Sequence, residues 1–547
     1  MKKLLALLLA IVMIVSMTAC VQPTDPTDPP KTPTGPQGNP TEPTQDPAAL
    51  EAAKYGGHLD FCVYAKPTRL DPAKATGTWY YMYTNLVYEA PLTRDAEGNI
   101  RPNVCEFELS ADQLTLKLWV REGLKFHDGS PVEIEDVVAS IRRTVHKSPR
   151  EFVDGYIQNV EIKDGVATIT FKEYNEKTMY YIASVNPLIG VMPKEIAEQY
   201  SYESGKSIKD VKDAIGTGPY KVVSLEPSVQ LDLVRFEEYV PVPEGHTGSA
   251  APKLAYMDSI TVKAPAESNT IAMSLANGTI DMAEAVTEDL RAQVYAAGVT
   301  SFIKPFNTSI TVNFNTIGSN NATANNPNLR KAIIAAIDIP ELVMFAHPDG
   351  TYTLGGGPVI DPIYADEDFD KPDYMGEDKK EVVEKYLQAA NYNGEVIEMA
   401  CGSNLTFATL IEAYLKEYDI NIKIHALEQA AYNDYVANHD NPWDIKVGYV
   451  TLGNSPTLMS DALINADYQG EEKNALLKEM STLFAGSDEY MAKWDELVDV
   501  IVEDCAVVVF AQSGLNWFVA PDLNFDYEGR DVCLWNAYWS NPADHLK

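Results

Sequence analysis

The chain has 547 residues, 43 Lys and Arg against 79 Asp and Glu, and a formal net charge of −36 at pH 7. Such acidity argues against a nucleic-acid partner, because affinity for phosphate backbones comes from clustered Lys and Arg. Roughly 490 residues lie beyond the polar N-terminal region, room for two or three packed units.

Lys2 and Lys3, an apolar run from Leu4 to Val15 and then small residues read as a secretory leader over 1–19, too short and wrongly flanked for a stable membrane span. Met17-Thr18-Ala19-Cys20 resembles a bacterial lipobox, which implies cleavage before Cys20 and a lipid on that cysteine. Residues 20–55 are rich in Pro, Thr, Asp and Gly and almost devoid of apolar side chains. They cannot bury a core and are expected to be an extended tether. No later run of about 18 apolar residues follows, so nothing else in the sequence reads as a membrane span.

"LTLKLWV" (Leu114 to Val120) alternates like a half-buried strand. It leads into "REGLKFHDGSPVEIEDVV", where Asp128-Gly129 is a turn signal. Ile134, Val137, Val138 and Ile141 then share one helical face, with Glu133, Glu135 and Asp136 in the first turn, where the macrodipole favours acids. Strand, turn and helix start account for every residue, so His127 and Asp128 read as scaffold rather than as a catalytic pair. Downstream, the short β-like runs "SITVKAP", "NIKIHAL", "WDIKVGY" and "AVVVFA" alternate with amphipathic helical stretches, the pattern of an α/β protein.

Chemical motifs are few. After Cys20 come Cys62, Cys105, Cys401, Cys505 and Cys533, scattered, odd in number and without CxxC spacing. They support isolated buried thiols better than a disulfide framework or a zinc site. Gly453-Asn454-Ser455 lacks the glycine that a nucleophile elbow needs, no HExxH occurs, and "GTGPYK" (Gly216 to Lys221) has the wrong spacing for a phosphate loop. No catalytic residue, cofactor or metal ligand is expected.

Several segments in order do carry a resemblance. "GGHLDFCVYAKPTRLDPAKAT", "NLVYEAPLTRDAEGNIRPNV", "LKFHDGSPVEIEDVVASIRR", "GTGPYKVVS", "SLANGTIDMAEAV", "NPNLRKAIIAAID", "DKKEVVEKYLQAANY" and "YNDYVANHDNPWDIKVGYVTLGNSP" resemble the family 5 extracellular solute-binding proteins, receptors of peptide- and nickel-type ABC importers. The resemblance runs from Gly56 almost to the C-terminus. It implies an α/β, two-lobed periplasmic-binding-protein-like fold (type II, cluster C) with an extra domain inserted in the first lobe. On that basis lobe I takes 56–80, 216–305 and 511–547, the inserted domain 81–215, and lobe II 306–510. Strands crossing between the lobes form a hinge, and ligand stabilises the closed state. The implied protein is an extracytoplasmic, lipid-anchored monomer on a bacterial cell membrane that hands solute to ABC permease subunits. A secreted enzyme or structural lipoprotein on the same fold is the alternative from another class.

The resemblance also places a ligand cleft, of the kind that combines aromatic walls with a few polar anchors. Trp79 and Tyr80 fall at its first edge. Asn313, Phe314 and Asn315 match a segment whose backbone lines it, although core packing is the other reading for Phe314. Tyr449, Leu452, Gly453 and Asn454 match the closing stretch near ligand, and Trp517 follows the return crossing. Two departures stand out. Relatives carry a threonine N-cap where Glu133 stands, and glutamate is a poorer cap. Peptide-binding relatives carry an aspartate that pairs with the ligand's ammonium where Leu452-Gly453 stand, and a buried ammonium without a carboxylate is costly. Peptide is the first ligand class by family, neutral oligosaccharide the second, and a nickel complex the third, since no histidine cluster is visible among the eight histidines.

Overall fold

The computed structural model describes residues 47–63, 67–74, 78–96, 98–143, 156–184, 189–201, 204–264, 267–284, 286–318, 321–347, 350, 352–354, 371–376, 379–402, 405–451, 467–484, 486–528 and 531–546. Cys20 and the leader expected over 1–19 lie outside them. Glu51–Lys547 form one packed unit, and of Met1–Leu50 only the start of the helix Pro47–Ala52 is described. No helix among the described residues is long and apolar enough to cross a membrane.

An 11-stranded mixed sheet runs through the unit in the order Ile422–Ala426, Ile397–Cys401, Ile445–Thr451, Thr300–Phe314, Val507–Val519, Met282–Glu284, His58–Cys62, Ser259–Lys263, Gln230–Arg235 and Tyr220–Glu226, with Tyr352–Leu354 added beside Val507–Val519. The β-like runs of the sequence account for four of these strands. Two separate hydrophobic cores are built on the sheet. One gathers Leu59, Phe61, Ile260, Val262, Met282 and Trp517. The other gathers Ile310, Phe314, Ile333, Ile397, Met399 and Phe510. The chain is thus a two-lobed α/β protein whose lobes share one sheet. In the second lobe the helix Pro327–Ala336 starts as its sequence demands. Asn326 accepts a hydrogen bond from Leu329 N at 3.1 Å, and proline occupies the first turn, where its missing N–H costs nothing.

A four-stranded antiparallel sheet, Cys105–Leu109, Thr115–Val120, Val166–Phe171 and Ile157–Lys163, has a core of its own around Leu116, Leu118, Ile134, Val137, Ile141 and Ile169. Its strands alternate buried and partly exposed residues, one face packed and one wet. The helix Ile134–Arg143 covers the packed face with the residues its periodicity marks. Glu133 at its start is compensated from inside the helix: Asp136 reaches back and accepts from Glu133 N at 2.8 Å. A buried ion pair ties this sheet to the first lobe. Arg143 Nη2 donates to both oxygens of Asp71 at 2.6 and 2.7 Å, and Asp71 also accepts from Ile208 N at 3.1 Å. "GTGPYK" is part of the same joint: a Cβ on Gly216 or Gly218 would collide with the carbonyl oxygens of Val87 and Leu86.

Candidate functional site

Two strands belong to both lobes, and the candidate site is where they cross. Thr300–Phe314 and Val507–Val519 pair antiparallel along their length. Phe302, Trp517 and Val519 pack in the first core, whereas Ile310, Val312, Val508 and Phe510 pack in the second. Between the lobes the ladder is interrupted. Pro305 lies opposite Gly514 and the next pair is Ser309 with Gln512, so three residues of one strand face one of the other. Thr308 is paired instead with Thr451, the last residue of Ile445–Thr451, and Tyr352–Leu354 lines up with Ser513–Ala511.

The described side chains at this crossing are mostly uncharged. Ser309 Oγ, Asn516 Oδ1 and Trp517 Nε1 are buried atoms with no hydrogen-bond partner among the described residues. Each such atom costs on the order of 1–3 kcal/mol unless water or a ligand satisfies it. The charged exception is Glu284, 3% exposed, whose backbone lies opposite Trp517. The sequence reading missed it, because one acid among 79 carries no signal without geometry. Burial first, and then Glu284, push the thiol of neighbouring Cys62 well above the usual range. Cys62, Cys105, Cys401, Cys505 and Cys533 are all buried. Among the described residues no group of three His, Cys, Asp or Glu side chains could hold a metal ion.

The residues expected to line a cleft are distributed unevenly around this crossing. Trp79 lies in the helix Thr78–Val87, with its side chain outside the described part, and Leu452, Gly453 and Asn454 lie outside it altogether. Tyr449 is placed by its backbone, opposite Ile310. Tyr80 is partly buried against the first core, its hydroxyl 3.3 Å from Thr68 Oγ1 and its ring edge-on to Tyr83. Asn313, Phe314 and Asn315, expected to line the cleft through their backbone, turn their side chains into the second lobe. A strand rises about 3.3 Å per residue, so Asn315 lies roughly 20 Å beyond Ser309, inside the second lobe. Phe314 is fully buried in the core, and Asn313 donates to Asp467 at 3.4 Å. Asn315 holds the carbonyls of His439 and Trp443 at 3.1 and 3.2 Å. These three side chains are occupied by the lobe itself. Trp517 has 0% exposure and stacks on Phe61 with centroids 5.6 Å apart.

The opening turn is scaffold in detail. Gly129 takes φ 88°, and Asp128 Oδ1 accepts from Ser130 N at 3.0 Å. The ring of His127 is held between Gly216 and Gly218.

Comparison with known proteins gives the same architecture. The family described as bacterial extracellular solute-binding proteins, family 5 Middle, matches residues 96–467. The glutathione-binding protein GsiB of Escherichia coli O6:K15:H31 is 25% identical over 285 residues, covering 51% of this chain and 52% of that protein. A probable peptide ABC transporter periplasmic-binding protein, y4tO, of Sinorhizobium fredii is 27% identical over 228 residues, covering 39% and 40%. The chain thus spans about half or less of the curated relatives it matches. The ABC transporter substrate-binding protein CtaP from Listeria monocytogenes superimposes with a TM-score of 0.73 at 20% identity, over 89% of this chain and 100% of that one. DppA from Helicobacter pylori, solved with the peptide STSA, gives 0.70 at 19% identity, over 90% and 99%. At such identities the structures show a shared fold, and their ligands remain theirs. The two lobes, the pair of strands that cross between them and the match over residues 96–467 agree: the chain belongs to the bacterial extracellular solute-binding proteins, family 5.

Proposed function

We propose that this chain is the solute-capturing receptor of an ABC importer. It takes up peptide-like solutes between its lobes and presents the closed form to permease subunits. The observation that carries the reading is the pair of crossing strands joining two independent cores, since two rigid bodies on a narrow connection can close on a ligand. Peptide stands first because a neighbour of the same fold is solved with the peptide STSA and another, AppA of Bacillus subtilis, with a nonapeptide. Neutral oligosaccharide is the second reading, favoured by Leu452-Gly453 where the resemblance places an aspartate in peptide binders. The lobe assignments 56–80, 216–305 and 511–547 against 306–510, the inserted domain 81–215, the monomeric state and the lipid at Cys20 are parts of the same proposal.

A thermal-shift screen with peptides, oligosaccharides and nickel complexes tests it, because a ligand that binds only the folded state must raise the melting temperature. A shift with tri- to pentapeptides alone supports the first reading. A shift with sugars alone replaces it by the second. Silence across all three classes removes the importer role.

A further inference from the structure

We infer that Glu51–Gly57 is a strap that fastens the end of the N-terminal tether to the first lobe, with the Lys54 ammonium seated between the rings of Tyr256 and Tyr538. The fastening is independent of which solute is bound.

The seat draws on residues far apart in the chain. Lys54 Nζ lies 5.2 Å from the ring centroid of Tyr256 and 5.0 Å from that of Tyr538. The two rings meet edge to face, 5.5 Å apart. The negative face of an aromatic ring attracts a cation, so two rings about one ammonium hold it better than one. Glu51 closes the seat from the strap's own side. It pairs with Lys54 at 2.8 Å and accepts from the hydroxyl of Tyr256. Lys54 first, and then Tyr256, hold its carboxyl below the usual range. Tyr55 continues the cluster. Its ring stands edge-on to Tyr256 at 5.0 Å, and the Arg235 guanidinium lies 5.6 Å from its centroid. Arg235 in turn donates to Tyr256 O at 3.0 Å and to Asp258 at 2.8 Å, which ties the cluster to the edge of the large sheet.

The chain leaves the strap by a turn that fixes its direction. Gly56 N donates to Tyr256 O at 2.9 Å, and Gly57 N to Asp258 Oδ2 at 3.2 Å. φ is 120° at Gly56 and 86° at Gly57, values that residues with a side chain avoid. A Cβ on Gly57 would lie 2.7 Å from Trp539 Cδ1. Neighbouring residues of one strand thus receive the strap, Tyr538 its lysine and Trp539 its turn. Tyr256 and Met257 sit in the wall of the first lobe, and Met257 and Trp539 belong to its core. The strap takes the end of the stretch read as tether over 20–55. With Cys20 lipidated as proposed above, the first lobe becomes the body that the membrane holds, and the second moves against it.

Dilute trypsin on the mature chain carrying Cys20→Ser, under native conditions, gives the first test. The protease must draw a lysine into its own pocket, so a seated Lys54 is cut only when the strap opens. Lys31–Thr32, in the Pro/Thr-rich stretch, is the reference, and each rate is taken relative to the same bond in a synthetic peptide. Lys54–Tyr55 should be cut at least about tenfold more slowly than Lys31–Thr32. Tyr538→Ala should speed cleavage at Lys54 about threefold or more and leave Lys31 unchanged. Equal rates at the two lysines overturn the strap. So does a Tyr538→Ala protein of wild-type melting temperature whose Lys54 is cut no faster. If Tyr538→Ala does not fold, Glu51→Gln replaces it, with about twofold acceleration expected from loss of a partly exposed ion pair. The second test places spin labels at Ala53→Cys and Glu226→Cys in the same Cys20→Ser chain, where the five remaining thiols are buried. The distance distribution should be narrow and should broaden about twofold with Tyr538→Ala, or with Glu51→Gln in its place. A distribution as broad without the substitution as with it overturns the seat. Neither readout involves a solute, so failure of the importer reading leaves both standing.

Discussion

His127 Nε2 lies 2.9 Å from the carbonyl oxygen of Gly218, while Nδ1 of the same ring accepts from Gly216 N at 3.3 Å. One ring nitrogen donates and the other accepts, so the imidazole is neutral and both of its hydrogen-bonding groups are satisfied by backbone. The ring also packs edge-on against Phe236, centroids 5.2 Å apart. His127→Ala should therefore destabilise the protein by about 1–3 kcal/mol, by leaving a backbone N–H and C=O unpaired. Solute affinity, measured well below the melting temperature, should stay within about twofold of wild type, as for changes remote from a site. Loss of binding at an unchanged melting temperature would show that the turn is part of a site.

The same ring sets one slope of stability against pH. Burial pushes the His127 imidazole down from its ordinary 6.5 to about 4. Between these values the unfolded chain binds a proton that the folded chain refuses, so stability falls as pH drops through the window. Asp281 works in the opposite sense. Burial raises its carboxyl from 3.8 to about 6, against the pull of His545, His58 and Lys263. Between those values the folded state keeps a proton that the unfolded state has lost, so stability falls as pH rises. Each contribution is at most about 3 kcal/mol, at 1.36 kcal/mol per unit. The stability of wild type relative to His127→Gln should therefore shrink between pH 7 and 4, and that relative to Asp281→Asn should grow. Urea unfolding at pH 7, 5.5 and 4 checks both signs, and a shared sign contradicts the assignment of either group.

Much of the fold was legible because its signals are local. Asp128-Gly129, the apolar face of Ile134, Val137, Val138 and Ile141, the cap at Asn326 and the alternation of Thr115–Val120 each depend on neighbours within a few residues. The site was less legible because its determinants are matters of register. Asn313 and Trp517 were placed near ligand by position along the chain. The strand carrying Asn313 continues past the crossing into a second core, and Trp517 faces inward on Phe61. Alternation says which residues share a face, and it does not say how far along a 15-residue strand a lobe begins. The glycines of "GTGPYK" illustrate the same limit: their role is close contact with Leu86 and Val87, about 130 residues earlier in the chain, which no spacing rule could reveal.

Anchoring is tested without reference to ligand. The leader, the lipobox-like Met17-Thr18-Ala19-Cys20 and the Pro/Thr-rich stretch after it form one sequence unit. Cys20→Ala should move the protein from the membrane fraction into the medium or soluble extracytoplasmic fraction. Metabolic labelling with a fatty acid should mark wild type and spare the variant. A variant that remains fully membrane-bound excludes the lipid as the anchor.

Trp517 separates a structural role from a binding one most sharply. Its indole has 0% exposure, stacks on Phe61 at an interplanar angle of 19°, and has partners on both flanking strands, Phe302 on one side and Glu284 on the other. Truncation to alanine removes a large buried ring from the first core, so Trp517→Ala should cost roughly 3–5 kcal/mol of stability. Trp517→Phe keeps most of the packing and drops an Nε1–H that has no partner among the described residues, so it should cost much less, about 1–2 kcal/mol. If the indole serves only the core, solute affinity well below each melting temperature should change by less than about tenfold for Trp517→Ala and hardly at all for Trp517→Phe. That limit corresponds to about 1.4 kcal/mol of binding free energy. Calorimetric titration beside thermal unfolding separates the two roles. A Trp517→Phe protein of near-native stability that has lost most of its affinity would mean that the buried N–H meets the solute when the lobes close.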